Sequence, residues 1–226
     1  MREVVIDTET TGLSHKTGDR IIEVGCVELI NHVATNNFLQ FYCRVDKKIS
    51  ESAQKITGIT NKFLSNKKIF SDHCDDFLKF IKNDTLIIHN AEFDMGFLNN
   101  ELSLLGRPGI INPVTDTVSL ARSVLNTRVA NLDYLCRRFK IDLSERGLHG
   151  ALLDSKLLAE VYLELKGGKQ FSMNLSKGNR TNNDQKKTKE NKIKNIIKIK
   201  LSEEDIIVHK KMVSEIKDPV WKKYNY

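Results

Sequence analysis

Val4-Val5-Ile6-Asp7-Thr8-Glu9-Thr10-Thr11-Gly12, residues 4–12, opens the chain with an apolar β-branched run that gives way to two acids and a turn. Val4–Ile6 reads as a buried strand ending at Asp7. Along a strand, residues two apart project from one face, so Asp7 and Glu9 can aim two carboxylates at one point beyond the strand's open end. Close like charges repel unless something cationic neutralises them, and a hard divalent ion with oxygen ligands does so. The same residues also fit a solvated strand end followed by a turn, and the pair alone leaves both readings open.

Working outward, residues 20–30 (RIIEVGCVELI) and 37–45 (NFLQFYCRV) read as two further strands joined by the polar turn Asn31–Asn36. Helical spacing of Phe70, Cys74, Phe77, Leu78 and Ile81 predicts a helix over 70–82. Thr85–Ile88 is a short apolar strand. Residues 91–105 follow as a helix with Phe97, Leu98, Leu102 and Leu105 on one side. Helices are also expected near 117–125, 131–139 and 150–166, the last stopped by Gly167-Gly168. Strands first, then alternating strand and helix, predict an α/β or α+β layered domain with a mixed sheet.

Two more clusters fall at ends of these elements. His89-Asn90-Ala91-Glu92-Phe93-Asp94 lies where a strand yields to a helix, with Asp94 in the helix's first turn, where its charge suits the dipole. First-turn capping alone would also explain it. In Leu148-His149-Gly150-Ala151-Leu152-Leu153-Asp154, one continuous helix would leave His149 and Asp154 about 140° apart. They can converge only if His149 sits in the loop before the helix, with Gly150 permitting the bend. A loop histidine beside an exposed helix acid is the simpler alternative for that cluster on its own. Together the clusters offer four carboxylates and one histidine around one core. Phosphodiester hydrolysis needs such a set: two ions roughly 3.5–4 Å apart to activate water and stabilise the leaving oxygen, and an imidazole near neutrality to take a proton.

The net charge of +7 is unevenly placed: residues 176–226 hold 14 Lys+Arg and 7 Asp+Glu, leaving 22 of each for residues 1–175. Whatever the neutral body binds, it must hold by local contacts, not by overall charge. Cys26, Cys43, Cys74 and Cys136 have no CxxC spacing and read as reduced thiols. No apolar run approaches the roughly 20 residues of a membrane span, and Met1–Gly12 lacks a signal-peptide layout. A cytoplasmic chain without membrane association is expected. Residues 176–195 are polar and Lys/Asn-rich and read as a flexible linker. Ile196–Leu201 could form a strand, and Ser202-Glu203-Glu204-Asp205 is a good start for a helix running to about Lys217.

VIDTETTG, HNAEFDMGFLN and LHGALLDSKLLAEVYL, in that order, resemble the three motifs of the DEDDh exonuclease superfamily. The closer likeness is to the epsilon (proofreading) subunits of bacterial DNA polymerase III. It includes Asn131–Cys136 and runs from Val4 to about Gly168. The resemblance implies an α/β ribonuclease H-like exonuclease fold, a central mixed sheet flanked by helices, over residues 1–168. It implies Asp7, Glu9, Asp94 and Asp154 as ligands of two Mg²⁺ or Mn²⁺ ions and His149 as general base. His at that position, not Tyr in another spacing, marks the "h" branch. Asp7, Glu9 and Asp154, with Thr10, Thr11, Leu13, His89 and Phe93, would also hold the terminal nucleotide of a DNA 3′ end. Stacking of an unpaired base is sequence-tolerant, as acceptance of any mismatched end requires. The chain departs from the family at Thr57, where members often carry a His, and at Ser52, where some members carry a Glu. Both can hydrogen-bond a nucleotide, but without charge.

Residues 169–175 contain Gln170–Leu175 (QFSMNL), which resembles the short peptide by which bacterial replication proteins bind the sliding clamp, with Gln170, Met173 and Leu175 as anchors. Residues 196–226, with Trp221 near the end, resemble the epsilon segment that docks on the polymerase catalytic (alpha) subunit. The expected activity is proofreading 3′→5′ hydrolysis of mismatched or single-stranded DNA ends, releasing 5′-mononucleotides. A superfamily enzyme acting on RNA ends and a non-catalytic brace of the polymerase are the rival readings.

Overall fold

A computed structural model of the chain describes residues 1–144, 146–168 and 202–215. The chain divides into two units, Met1–Asn174 and Leu175–Tyr226.

In the first unit, β1 (Arg2–Thr10) runs past the expected end at Asp7. Its antiparallel neighbour β2 (Ile21–Ile30) keeps pairing through Glu9↔Glu23 to Thr10↔Ile21, with a register shift between Glu9 and Thr10. Such irregularities re-aim side chains at the ends of strands. The β2–β3 connection is shorter than the expected Asn31–Asn36. Asn31 and His32 alone make it, both with positive φ (53° and 68°), as a two-residue hairpin requires. β3 is therefore Val33–Tyr42 and not residues 37–45. β4 (Thr85–Ile88) and the short β5 (Val114–Asp116), which the sequence reading did not anticipate, complete a sheet of order β3-β2-β1-β4-β5. The β3-β2-β1 half is antiparallel and the β1-β4-β5 half parallel, so the sheet is mixed as expected.

Helices cover both faces. α1 (Glu51–Thr57) and α2 (Asn61–Leu64) were not foreseen, being too short for a periodic signal. Their marks are local: Ser50 Oγ accepts from Ala53 N and Thr60 Oγ1 from Phe63 N at the two N-caps. α3 (Phe70–Ile81), α4 (Ala91–Leu104), α5 (Thr117–Leu125), α6 (Leu132–Phe139) and α7 (Ala151–Leu165) match their expected spans closely. Leu105, expected on the apolar side of α4, instead caps it and is 39% exposed. After α7 both Gly167 and Gly168 adopt positive φ, 116° and 69°, and end the helix.

Period-2 alternation along β1 sorts its side chains. Val4 and Ile6 join Phe77, Phe97, Leu98 and Leu102 of α3 and α4 in one core. Val5 joins Leu135, Leu158 and Val161 of α6 and α7 in the other. Asp7 and Glu9 are in phase with Val5 and face α7, whereas Thr8 is in phase with Ile6 and faces α4. The four cysteines are free and buried, and among the described residues no helix is long and apolar enough to cross a membrane.

Gly25 of β2 is the register partner of Asp7, and α7 lies directly upon it. A Cβ built there would stand 2.3 Å from the Ala151 carbonyl carbon and the Leu152 nitrogen. Ser155 Oγ, buried, donates to the Gly25 carbonyl at 2.9 Å. Only glycine allows the first turn of α7 to approach so near.

In the second unit, α8 (Glu203–Glu215) begins where expected. Ser202 Oγ accepts from Asp205 N at 3.1 Å and Glu203, Glu204 and Asp205 fill its first turn. Ile207, Val208 and Met212 are exposed. The expected linker, the strand at Ile196–Leu201, the segment 169–175 and Trp221 lie outside the described residues, as does any extension of α8 beyond Glu215.

Gly25→Ala should cost about 1–3 kcal/mol or more through backbone overpacking, read as a shift of the denaturant midpoint. In its surviving folded fraction α7 must lift away from Asp7, read as faster amide exchange over the first turn of α7. An alanine variant of unchanged midpoint would show that the contact carries no weight.

Candidate active site

The C-terminal end of β1 is also where β4 ends. Ile6 pairs with Ile88, so His89 and the first turn of α4 emerge beside Asp7. The first turn of α7 is brought in by Gly25. Asp7, His89, Asp133, Arg146, His149 and Asp154 line one cleft of about 320 Å³. Ligand atoms of Glu9, His149 and Asp154 lie within 4.8 Å of one another. Asp94, buried in α4, accepts from Thr8 Oγ1 at 2.7 Å. Asp7, Glu9, Asp154 and His149 thus lie together, and Asp94, held by Thr8 on the α4 side, stands near enough for its charge to act on Asp7.

His149 does precede the helix. Its backbone N–H donates to the Ile56 carbonyl of α1 at 3.0 Å, and its Nδ1 is 3.2 Å from Asp154 Oδ2. The bend does not depend on glycine's conformational freedom, contrary to the sequence reading. Gly150 is extended (φ −153°, ψ 132°), and the nearest atom to a Cβ there is Glu23 Oε2 at 3.9 Å.

The carboxylates repel. Burial pushes the Asp7 carboxyl well above its ordinary range, and the charges of Asp94, Glu9, Asp154 and Glu23 push it further. Glu9 is raised to about 8, by burial first and then by Asp154, Glu23 and Asp94, with Arg146 opposing. Asp94 is raised to about 7 by burial, against the stabilising hydrogen bonds from Thr8. Carboxylates held so close, and partly buried, are a site for added positive charge.

Burial lowers the pKa of His89, keeping the ring neutral. His89 Nδ1 is 2.8 Å from Thr117 Oγ1, whose hydroxyl is also 3.2 Å from the Ile88 carbonyl, and the ring is further held by a hydrogen bond with the Ala130 backbone.

The remaining residues expected at the substrate divide by what they touch. Leu13 is 86% exposed. Phe93 is partly buried, its ring 4.8 Å from that of Phe97. Thr10 and Thr11 are buried and shape the turn: Thr10 Oγ1 donates to the Gly12 carbonyl at 2.6 Å, and Thr11 Oγ1 donates to Asp19 and accepts from Arg20 N. Ser52 is exposed, 3.1 Å from Ser50 Oγ. The Thr57 hydroxyl donates to the Ala53 carbonyl and accepts from Ile59 N, so it is already engaged at the end of α1. Ser50 N donates to the Thr11 carbonyl at 2.9 Å, so the segment around α1 is tied to both walls of the cleft. Gln170, Met173, Leu175 and Trp221 lie outside the described residues.

Sequence reasoning missed three neighbours. Glu23 is buried behind Glu9 and accepts from Gln40 Nε2 at 2.7 Å; its only signal is an acid inside an apolar strand. Arg146 and Asp133 stand in a loop and a helix start where nothing periodic marks them. Arg146 Nε and Nη2 donate to the two oxygens of Asp154 at 2.7 Å each, and Nη1 donates to Asp133.

Removing one of these charges should stabilise the ion-free protein. Asp7→Asn in EDTA is expected to melt above the parent, by about 2–4 °C per kcal/mol relieved. Mg²⁺ should raise the melting temperature of the parent and not of the variant. The sign for Glu9 follows from its shift: a carboxyl raised from 4.5 to about 8 on folding makes the folded state the better proton binder. Its contribution is therefore complete below pH 4.5 and is lost as pH rises through 8, so the melting temperature in EDTA should fall across that window. A variant that melts lower and still responds to Mg²⁺ would remove Asp7 from the ion site.

The sequence model of the family described as "Exonuclease" matches residues 4–162. DNA polymerase III subunit epsilon of Rickettsia felis is 45% identical over 222 residues, covering 96% of this chain and 97% of that protein. The protein of the same name from Buchnera aphidicola is 40% identical, covering 96% and 95%. That of Escherichia coli K12 is 43% identical over 180 residues, covering 76% and 74%. Among solved structures, exonuclease X in complex with 5′-overhanging duplex DNA superposes with a TM-score of 0.59 at 24% identity, covering 73% of this chain and 90% of that one. The nuclease domain of 3′hExo, a DEDDh family member bound to rAMP, gives 0.64 at 20% identity over the same shares. These structures show the fold. The chain belongs to the exonuclease family and, within it, to the DNA polymerase III subunit epsilon family.

Proposed function

We propose that the protein is a proofreading 3′→5′ exonuclease subunit of a replicative DNA polymerase, hydrolysing mismatched or single-stranded DNA 3′ ends to 5′-mononucleotides. The observation that carries this reading is the gathering of Asp7, Glu9, Asp94, Asp154 and His149 at one end of the sheet, in a chain that spans 97% of a named epsilon subunit.

The donors are carboxylate oxygens with one imidazole, and their mutual repulsion calls for hard cations, a set that fits Mg²⁺ or Mn²⁺. Asp7, Glu9, Asp94 and Asp154 would hold them. When bound, two such ions neutralise the phosphate and activate water for in-line displacement. The chain's own residues do the rest. His149 has Nδ1 toward Asp154 and a half-exposed ring, leaving Nε2 to take the proton of the attacking water. Exposed Leu13 and the Phe93 ring offer apolar surface for the terminal base. Neutral His89 and the turn through Thr10 and Thr11 offer polar contacts. With its hydroxyl engaged in α1, Thr57 acts mainly by shaping that wall, while exposed Ser52 remains open to the nucleotide.

The tail is proposed to hold the enzyme on its machinery. Residues 196–226 dock on the polymerase catalytic subunit, a role supported by the exposed Ile207, Val208 and Met212 of α8. Gln170–Leu175 engages the sliding clamp, and residues 176–195 link the two activities. Such a subunit works beside the chromosome, in the cytoplasm.

A primer labelled internally and carrying a 3′ mismatch tests the activity. Release of 5′-mononucleotides with Mg²⁺ or Mn²⁺ is expected, abolished by EDTA and by Asp7→Ala or Asp154→Ala. An RNA primer should be the poorer substrate. His149→Ala should lose about 10²–10⁴-fold in rate yet still show ion-induced thermal stabilisation. Hydrolysis at parental rate by a folded Asp7→Ala protein would overturn the assignment.

A further inference from the structure

We propose that Arg146 is the internal counter-ion of Asp154, and that divalent-ion binding exchanges it: the ion takes Asp154 while Asp133 keeps the guanidinium. This rests on the ion-binding reading of Asp154 given above and adds what sets the threshold for it.

Asp154 and Arg146 are both buried, their side chains 5% and 7% exposed. A carboxylate taken out of water is heavily penalised unless a cation meets it. Arg146 meets it in full, with Nε on Oδ1 and Nη2 on Oδ2, each at 2.7 Å. This planar fork fits a carboxylate bidentately. Its Nη2 is also 3.1 Å from His149 Nδ1; a guanidinium only donates, so its departure also frees Nδ1 to turn an N–H to Asp154 and leaves Nε2 as the base. By contrast, among the described residues no Lys, Arg or His forms an ion pair with Asp7, Glu9 or Asp94.

The position of the fork makes it a competitor. Glu9, His149 and Asp154 present ligand atoms within 4.8 Å of one another, and the two oxygens of Asp154 are the ones Arg146 covers. A cation entering there needs lone pairs that the guanidinium occupies. Arg146 has a second anchor, since Nη1 bonds Asp133, whose side chain is 48% exposed and stands at the cleft wall. Turning the end of a long side chain moves the fork off Asp154 while that anchor holds. The charge released from Asp154 is thereby kept paired, and no bare guanidinium is left facing the arriving ions. Arg146 should therefore raise the ion concentration the site requires, and Asp133 should lower it.

The test uses the full-length chain without DNA, with Mn²⁺ as the titrant in calorimetry and melting curves in EDTA as the check on folding. Arg146→Gln should bind Mn²⁺ at least about fivefold more tightly, within the usual range of coupling between two bound species. Its melting temperature in EDTA should fall, and the rise on adding Mn²⁺ should grow. Arg146→Lys keeps the charge and drops the fork, so it should retain most of the gain; it also carries the test if the glutamine variant does not fold. Asp133→Asn should weaken Mn²⁺ binding in the parent and have little further effect beside Arg146→Gln, a non-additivity that measures the shared partner. Unchanged or weaker affinity in the Arg146 variants overturns the proposal. So does a lysine variant that matches the parent, which would reduce the effect to net charge. Equal weakening by Asp133→Asn in both backgrounds overturns the anchoring role. A parent that binds no Mn²⁺ overturns the ion-site reading and this proposal together.

Discussion

The close seating of α7 on Gly25 is the constraint from which the rest of the site follows. Gly25 pairs with Asp7 across β1 and β2, and the backbone of Ala151 and Leu152 occupies the space a side chain would need. Ser155 fixes the rotation of the helix by donating to the Gly25 carbonyl. With α7 so placed, Asp154 in its first turn faces the β1 residues in phase with Val5, which are Asp7 and Glu9. A helix standing off at the usual distance of a side-chain layer would leave these carboxylates apart.

Strand phase accounts for the other half of the convergence. Asp7 and Glu9 point to one face, Thr8 to the other, and Thr8 holds Asp94 of α4 through a buried hydrogen bond. The parallel pairing of β1 with β4 brings His89 and α4 to the same end. Carboxylates from both layers therefore meet at one end of the sheet, beyond its central strand β1. Their raised pKa values record stability given up for that arrangement, a pattern common to sites that need charge to do chemistry. Arg146 relieves part of it at Asp154, and Asp19, paired with Lys47 and bonded by Thr11 and Ser14 N, holds the turn that follows β1.

Long periodic elements were legible along the chain. The spacing of Phe70, Cys74, Phe77 and Ile81 gave α3 to within a residue, because burial of one helical face leaves a 3.6-residue imprint. Elements fixed by local hydrogen bonds were not. α1, α2 and β5 are too short for periodicity, and the hairpin turn contracted to Asn31-His32 because antiparallel pairing of β2 with β3 continues to Ile30↔Val33. Glycine at 150 suggested a special bend, yet the backbone there is ordinary; the glycine that mattered was Gly25, in the middle of a strand reading as plain core.

The sequence by itself determined the chemistry available: which acids and which histidine lie at element ends, and the order of motifs that resembles an exonuclease. Those are properties of residue type and spacing, and spacing is read along one dimension. Tertiary structure alone decided which groups touch. Arg146 lies eight residues from Asp154 and Asp133 thirteen from Arg146, distances at which no periodicity links side chains across a loop. Only the packing of α6, α7 and the sheet into one cleft puts a guanidinium on the carboxylate and an imidazole beside both.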